Sequence, residues 1–406
     1  MLRTLIPIGI LTTALAACGS PHGAAPCAGD PDCNLRTGGE CRSSPLGTDQ
    51  CAYPDTACAG GFSWSELSGN IAGECVSLDV DAGNADAGNI DAVDSSTIDA
   101  MPMPCDLRLT FQEGQEVWAA NQDGTGLTNL SVSASADSSP QWSTAGAKIV
   151  FVSGRTGNDD VFTVNPNGSG LANLTRNSAE DQQPTWSRDG TKIAFLRSER
   201  LWLMDANGSS ARQLSTLPVY SFNSLTWSPD GSAIAFVSGT DIYSLAVAGG
   251  SPRNLTNSAA LDDSPEWSPD GTKIAFRSAI GSAAEDVFVM NVDGAGVANI
   301  TNTPSAVEAA PKWSPDSSAL VFSSNRDGNS ELYRAPISTP GAYQRLTNTT
   351  YPELSPAWSP DGTKIAFVLA PSANSTIGVI DSSGSGLVTF ALTNGGALSP
   401  SWAPCR

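Results

Sequence analysis

The ten residues WSPDGTKIAF occur twice without change, from Trp267 to Phe276 and from Trp358 to Phe367, and once with a single difference, WSRDGTKIAF, from Trp186 to Phe195. A phrase repeated at such intervals marks supersecondary units that bury their apolar faces by stacking on one another. The units run from Leu107 to the end of the chain. Each has a strand ending in Trp, a turn, an apolar strand of the I-A-F type, a strand of the D-V-F or E-L-Y type, a turn and a short strand ending in N-L-T or similar. Tryptophans stand at 142, 186, 227, 267, 313, 358 and 402, with spacings of 44, 41, 40, 46, 45 and 44 residues. The second strands end at Phe111, Phe151, Phe195, Phe236, Phe276, Phe322 and Phe367, seven again.

Local chemistry supports strands. In KIAF, β-branched and aromatic residues alternate with smaller ones, as a pleated surface requires. Ser-Pro-Asp-Gly has Pro at its second position, where φ is pre-set, and Gly at its fourth, which suits a type I turn. Asp123-Gly124, Asn167-Gly168, Asn207-Gly208 and Asp293-Gly294 read as hairpin turns between the third and fourth strands. Short strands, regular turns and a period near forty predict an all-β fold, a propeller whose every unit is one four-stranded blade. The first unit lacks its Trp strand, and the last fragment, SPSWAPCR, is only that strand. Together they complete a blade, so the expected number of blades is seven. Cys405 follows Trp402 by three residues, and Cys105 precedes Phe111 by six. Both fall in the register of the missing turn, so a Cys105–Cys405 disulfide is expected there.

The pattern W-S-P-D-G-x-x-I-A-F, then D/E-apolar-aromatic, then N-L-T, resembles the TolB-type β-propeller repeat. That resemblance implies a propeller of the cell envelope that binds other proteins. Three departures separate this chain from the family's type member: an expected lipid anchor, a Cys-rich segment and tether in place of an α/β domain, and seven blades rather than six.

The front of the chain predicts export. MLRTLIPIGILTTALAACGS has Arg3, then an apolar run too short to span a bilayer and of signal-peptide length. It ends in Leu15-Ala16-Ala17-Cys18, which resembles the lipobox of bacterial lipoproteins. This gives a signal peptide at 1–17, lipidation of Cys18 and a short tether over 18–26. The anchor would lie in the outer membrane, because Gly19, rather than Asp, follows Cys18. Six cysteines (Cys27, Cys33, Cys41, Cys51, Cys58 and Cys75) crowd the segment 27–76, which has little else to bury. Three disulfides would staple such a small domain, in a pairing the sequence leaves open. Residues 77–104 carry six Asp and no Lys or Arg, the composition of an extended disordered linker. The propeller would occupy 105–406.

Composition excludes much chemistry. The chain has one histidine, His22, outside the repeats. Ser-His-Asp and Cys-His schemes are therefore absent from the blades, as are histidine metal sites. A formal net charge of −20 disfavours nucleic acid. No metal and no cofactor is expected. The Ser and Asp of WSPDG read as turn residues. Five residues before each Trp stand Asp137, Asp181, Phe222, Asp262, Glu308, Glu353 and Ala397. The five carboxylates among them are the candidate binding residues. Around one mouth of a central channel they would attract cations or a basic partner segment. Alternatively, each accepts hydrogen bonds from its own loop or the neighbouring blade. The leading expectation is a non-enzymatic, lipid-anchored envelope scaffold that binds a protein or glycan. The alternative is a carbohydrate-active hydrolase or lyase using channel carboxylates.

Overall fold

The computed structural model describes residues 107–405 except 220–224, 282–283, 372–373 and 393–394, together with the backbone of four short strands nearer the N-terminus. The chain divides into two units, Met1–Thr97 and Ile98–Arg406. In the first, strands Glu40–Ser43, Asp49–Pro54, Phe62–Trp64 and Cys75–Val76 pair antiparallel in sequence order. The expected signal peptide, lipidated Cys18, disulfide pairing over 27–76, acidic linker and Cys105 lie outside the described residues.

The second unit is a seven-bladed all-β propeller. Six of its four-stranded sheets are built from consecutive strands. We number the blades around the ring, blade 2 beginning at Asp137 and blade 7 at Glu353. Blade 1 is mixed: Leu398–Trp402 pairs with Arg108–Glu113, and Glu116–Asn121 and Thr128–Asn129 follow outward. Trp402 stands opposite Leu109, and the Ala403 amide donates to the Arg108 carbonyl at 2.9 Å. Cys405 is disulfide-bonded.

The I-A-F phrase explains how blades stack. Side chains alternate across a strand, so its Ile and Phe face one neighbour and its Ala the other. Among the described residues, the buried apolar side chains form seven clusters, one between each pair of adjacent blades. Between blades 4 and 5, Ile274 and Phe276 pack on Ala235 and Val237, while Ala275 joins the cluster on the other side with Trp313 and Phe322. Phe111, Phe151, Phe195, Phe236, Phe276, Phe322 and Phe367 are all fully buried. Each contributes roughly 1.5–3 kcal/mol by leaving water.

The tryptophans clasp neighbours across the ring. Indole Nε1 of Trp227, Trp313, Trp358 and Trp402 donates to the carbonyls of Thr185, Glu266, Lys312 and Ala357 in the preceding blade, at 2.9–3.3 Å. The hairpins between third and fourth strands lean on the preceding blade as well. A Cβ on Gly294 (φ +82°) would stand 2.5 Å from the Leu255 carbonyl oxygen, so only glycine fits.

Candidate functional site

Two ends of the ring differ in chemistry. At the end where the innermost strands begin lie Asp137, Asp181, Asp262, Glu308 and Glu353. All five are fully buried, and their contacts are within the framework. Asp137 and Asp181 accept hydrogen bonds from Arg155 (3.1 Å) and Arg197 (2.7 and 3.0 Å), and Glu308 from Arg326 (3.1 Å). Those guanidinium groups lie against the rings of their own blades, Arg197 4.4 Å from the Trp202 centroid and Arg326 4.5 Å from that of Tyr333. Cation–π contact adds to the charge pairing there.

A second acidic position, at the start of the third strand, completes the network. Asp160, Asp241 and Asp286 each accept from the Asn that ends their own blade's fourth strand and from the Thr two residues beyond it. The next residues along the chain join neighbouring blades. Ser258 donates its amide to Asp241 and its hydroxyl to Asp262 (3.0 and 2.8 Å). Thr303 binds Asp286 and Glu308 in the same way (2.9 and 2.6 Å), and Thr349 binds Glu331 and Glu353 (3.1 and 2.6 Å). N-L-T is thus a carboxylate-holding motif as well as a strand. Its role was visible in the sequence only as a correlation with the D/E of the preceding strand.

Charge balance differs among the blades. Burial raises the carboxyls of Asp137 and Glu308, against their hydrogen bonds and arginines. Glu353 has no arginine partner among the described residues. Burial and the adjacent Glu331 carboxylate push it up to about 7, against hydrogen bonds from Thr347 and Thr349. Glu331 itself pairs with Arg345 at 3.0 Å.

The aspartates of the WSPDG turns belong to the turns. Ser187, Ser228, Ser268 and Ser314 donate to Asp189, Asp230, Asp270 and Asp316 at 2.5–2.6 Å. These bonds lead the contacts that hold the four carboxyls below their ordinary range.

Toward the opposite end, the channel opens into a cavity of about 770 Å³, within the roughly 300–1,000 Å³ usual for ligand sites. The innermost strands supply its wall, including all seven tryptophans. Halfway along, Ser139, Gln183, Ser264, Ala310, Ser355 and Ser399 adopt φ of +50 to +54°. Each precedes a proline and sits in a register shift of its strand pairing. Proline is tolerated on this edge because the innermost strand has no further neighbour to receive its missing N–H. Bulges and left-handed residues of this kind gather where a strand re-aims its backbone. Two residues beyond each Trp, Pro229, Pro269, Pro315, Pro360 and Pro404 form a second proline tier; Thr144 and Arg188 occupy that position in blades 2 and 3.

Glu266 is the one carboxylate among the described residues lining this cavity, and Lys312 pairs with it at 2.7 Å. A two-carboxylate hydrolytic scheme finds no second acid in that lining. Among the described residues no cluster of three or more His, Cys, Asp or Glu could hold a metal.

Comparison with known proteins places the repeats. Residues 106–239 and 226–405 match the family model of the TolB beta propeller domain. TolB from Acinetobacter baumannii superposes with a TM-score of 0.50 at 17% identity, covering 73% of this chain and 82% of that one. Oligogalacturonate lyase from Vibrio parahaemolyticus gives 0.54 at 14% identity, covering 70% and 84%. A puromycin-hydrolysing peptidase from Mycobacterium tuberculosis gives 0.50 at 19%, covering 62% and 46%. Identities this low speak to the fold, which serves unlike functions. No curated protein matches the chain.

Proposed function

The chain belongs to the TolB beta propeller domain family, and from that membership and the cavity geometry we propose that it is a non-enzymatic cell-envelope scaffold. Its propeller binds a partner, a protein in preference to a glycan, at the proline- and tryptophan-lined mouth of the channel. Cys18 carries the lipid that holds the protein to the outer membrane, and the acidic segment 77–104 gives the propeller reach. The five strand-start carboxylates act as framework, holding the innermost strands in place around the channel. The cavity of about 770 Å³ is the observation that carries the reading. It is a preformed concave site of rigid side chains with few charges, which suits binding more than acid–base chemistry.

The test is capture from envelope extract by the full chain and by a Lys312→Trp variant. Lys312 lines the cavity with its side chain 41% exposed, and an indole there obstructs it. Loss of the captured partner at unchanged melting temperature supports the reading. Equal capture by both proteins places binding on another face.

A further inference from the structure

The five strand-start carboxylates do not share one environment. The residue paired opposite each, on the second strand of its blade, is Ser153, Arg197, Ser278 or Ser324 in blades 2, 3, 5 and 6, but Leu369 in blade 7. Glu353 thus stands opposite an apolar side chain where its counterparts stand opposite a hydroxyl or a guanidinium.

Across the seam, its neighbour is another carboxylate. Glu331, on the third strand of blade 6, is fully buried like Glu353. Thr349 links the two: its amide donates to both Glu331 oxygens at 3.1 and 3.2 Å, and its hydroxyl to Glu353 at 2.6 Å. The Thr347 hydroxyl also donates to Glu353, and the Glu353 amide donates to the Ser330 carbonyl at 2.8 Å. Other charged groups on the packed elements have partners of their own. Arg345 pairs with Glu331 at 3.0 Å and Asp327 at 3.6 Å, and Tyr333 donates its hydroxyl to Asp327. Glu308, on the first strand of blade 6, has Arg326. Lys364, at the far end of Leu369's strand, has Asp381. Leu398–Trp402, the innermost strand of blade 1, carries no charge.

Two buried carboxyls therefore share one guanidinium. With both ionised, one negative charge is left uncompensated where screening is poor. A proton on Glu353 removes that charge and supplies the hydrogen that a contact between two carboxyls needs. We propose that Glu353 is a proton-operated latch on the seam between blades 6 and 7: with its proton the seam is closed, and without it segment 347–353 loosens from blade 6. Burial, and then Glu331, lift the Glu353 carboxyl from 4.5 to about 7, so the change falls near neutral pH. The closed seam favours the proton, so closure is complete below pH about 4.5 and is lost as pH rises through about 7. The strand that starts at Glu353 continues through Ser355, Pro356, Ala357 and Trp358 in the cavity wall, so the latch holds an element that the cavity shares. The latch does not depend on what the channel binds.

Hydrogen exchange of the full chain at pH 5.5 and pH 8, read by mass spectrometry and corrected for the intrinsic pH dependence, tests it. Protection of segment 347–353 should fall at least tenfold at pH 8. Segment 175–181, where Arg197 stands opposite Asp181, should stay level. In Glu353→Gln, whose amide keeps a donor hydrogen without charge, segment 347–353 should stay level too. Leu369→Arg, which copies the register of Asp181 and Arg197, should hold it level by supplying the missing cation. No fall in the native chain, an equal fall in both segments, or a fall that persists in Glu353→Gln would overturn the latch.

Discussion

Single positions carry constraints that burial alone does not reveal. Gly294 and Gly231 both have positive φ, +82° and +70°, but only at Gly294 would a Cβ meet a neighbouring blade's backbone. Alanine at a left-handed position costs about 1–2 kcal/mol through the backbone. Gly231→Ala should show about that loss in denaturant unfolding. Gly294→Ala should exceed it by a further 1 kcal/mol or more, as overpacking adds its own penalty of about 1–3 kcal/mol. Equal losses would mean that the hairpin does not press on Leu255. Glu353 supplies a pH test. Its carboxyl is raised from 4.5 to about 7 in the folded chain, so the folded state favours the proton. The stabilisation is complete below pH about 4.5 and is lost as pH rises through about 7. Glu353→Gln should flatten that fall in stability; an unchanged pH profile would assign it to other groups.

At the scale of strands and blades, the fold was legible because the same physics recurs in every repeat. Trp, the turn and I-A-F occupy fixed offsets, and their periodicity alone predicts strands, blade number and the closing exchange. The carboxylates were legible as a recurring position, yet their surroundings were not. Arg155 and Arg326 follow the strand phenylalanine by four residues and Arg197 by two, so no single spacing signals the pairs. Ser258, Thr303 and Thr349 reach across blades, a contact visible only once the ring is assembled. The Glu308–Arg326 pair gives a test at this scale, since the two side chains are 0% and 7% exposed. Arg326→Met should destabilise by about 3–5 kcal/mol, because it strands a buried carboxylate. Adding Glu308→Gln should recover much of that loss in a double-mutant cycle. No recovery would show that Arg326 acts through its aromatic contacts instead.

For the whole molecule, closure of the ring bears on stability, and the channel is the proposed binding site. The innermost strand of blade 1 comes from the far end of the chain, so the ring holds only while Leu398–Trp402 stays paired. We propose that the partner of Cys405 is Cys105, the residue its register predicts. Peptide mapping without reduction should recover that cross-link. Cys405→Ser should lower stability by up to about 4–5 kcal/mol, the ideal worth of closing so long a loop; another partner for Cys405 would refute the pairing. The cavity's departures from symmetry, Thr144 and Arg188, stand in plain view in the sequence as breaks in W-S-P. What they break, a proline tier around the cavity, appears only in three dimensions.

The central claim is that the partner is bound at the proline- and tryptophan-lined mouth. Photo-crosslinking in intact cells tests it most directly, with a photoreactive residue placed at Pro315 on the cavity wall or at Leu387, an exposed position outside it. The account predicts a discrete crosslinked product from position 315 and none from 387. Products from 387 alone would contradict it and move the binding face away from the channel.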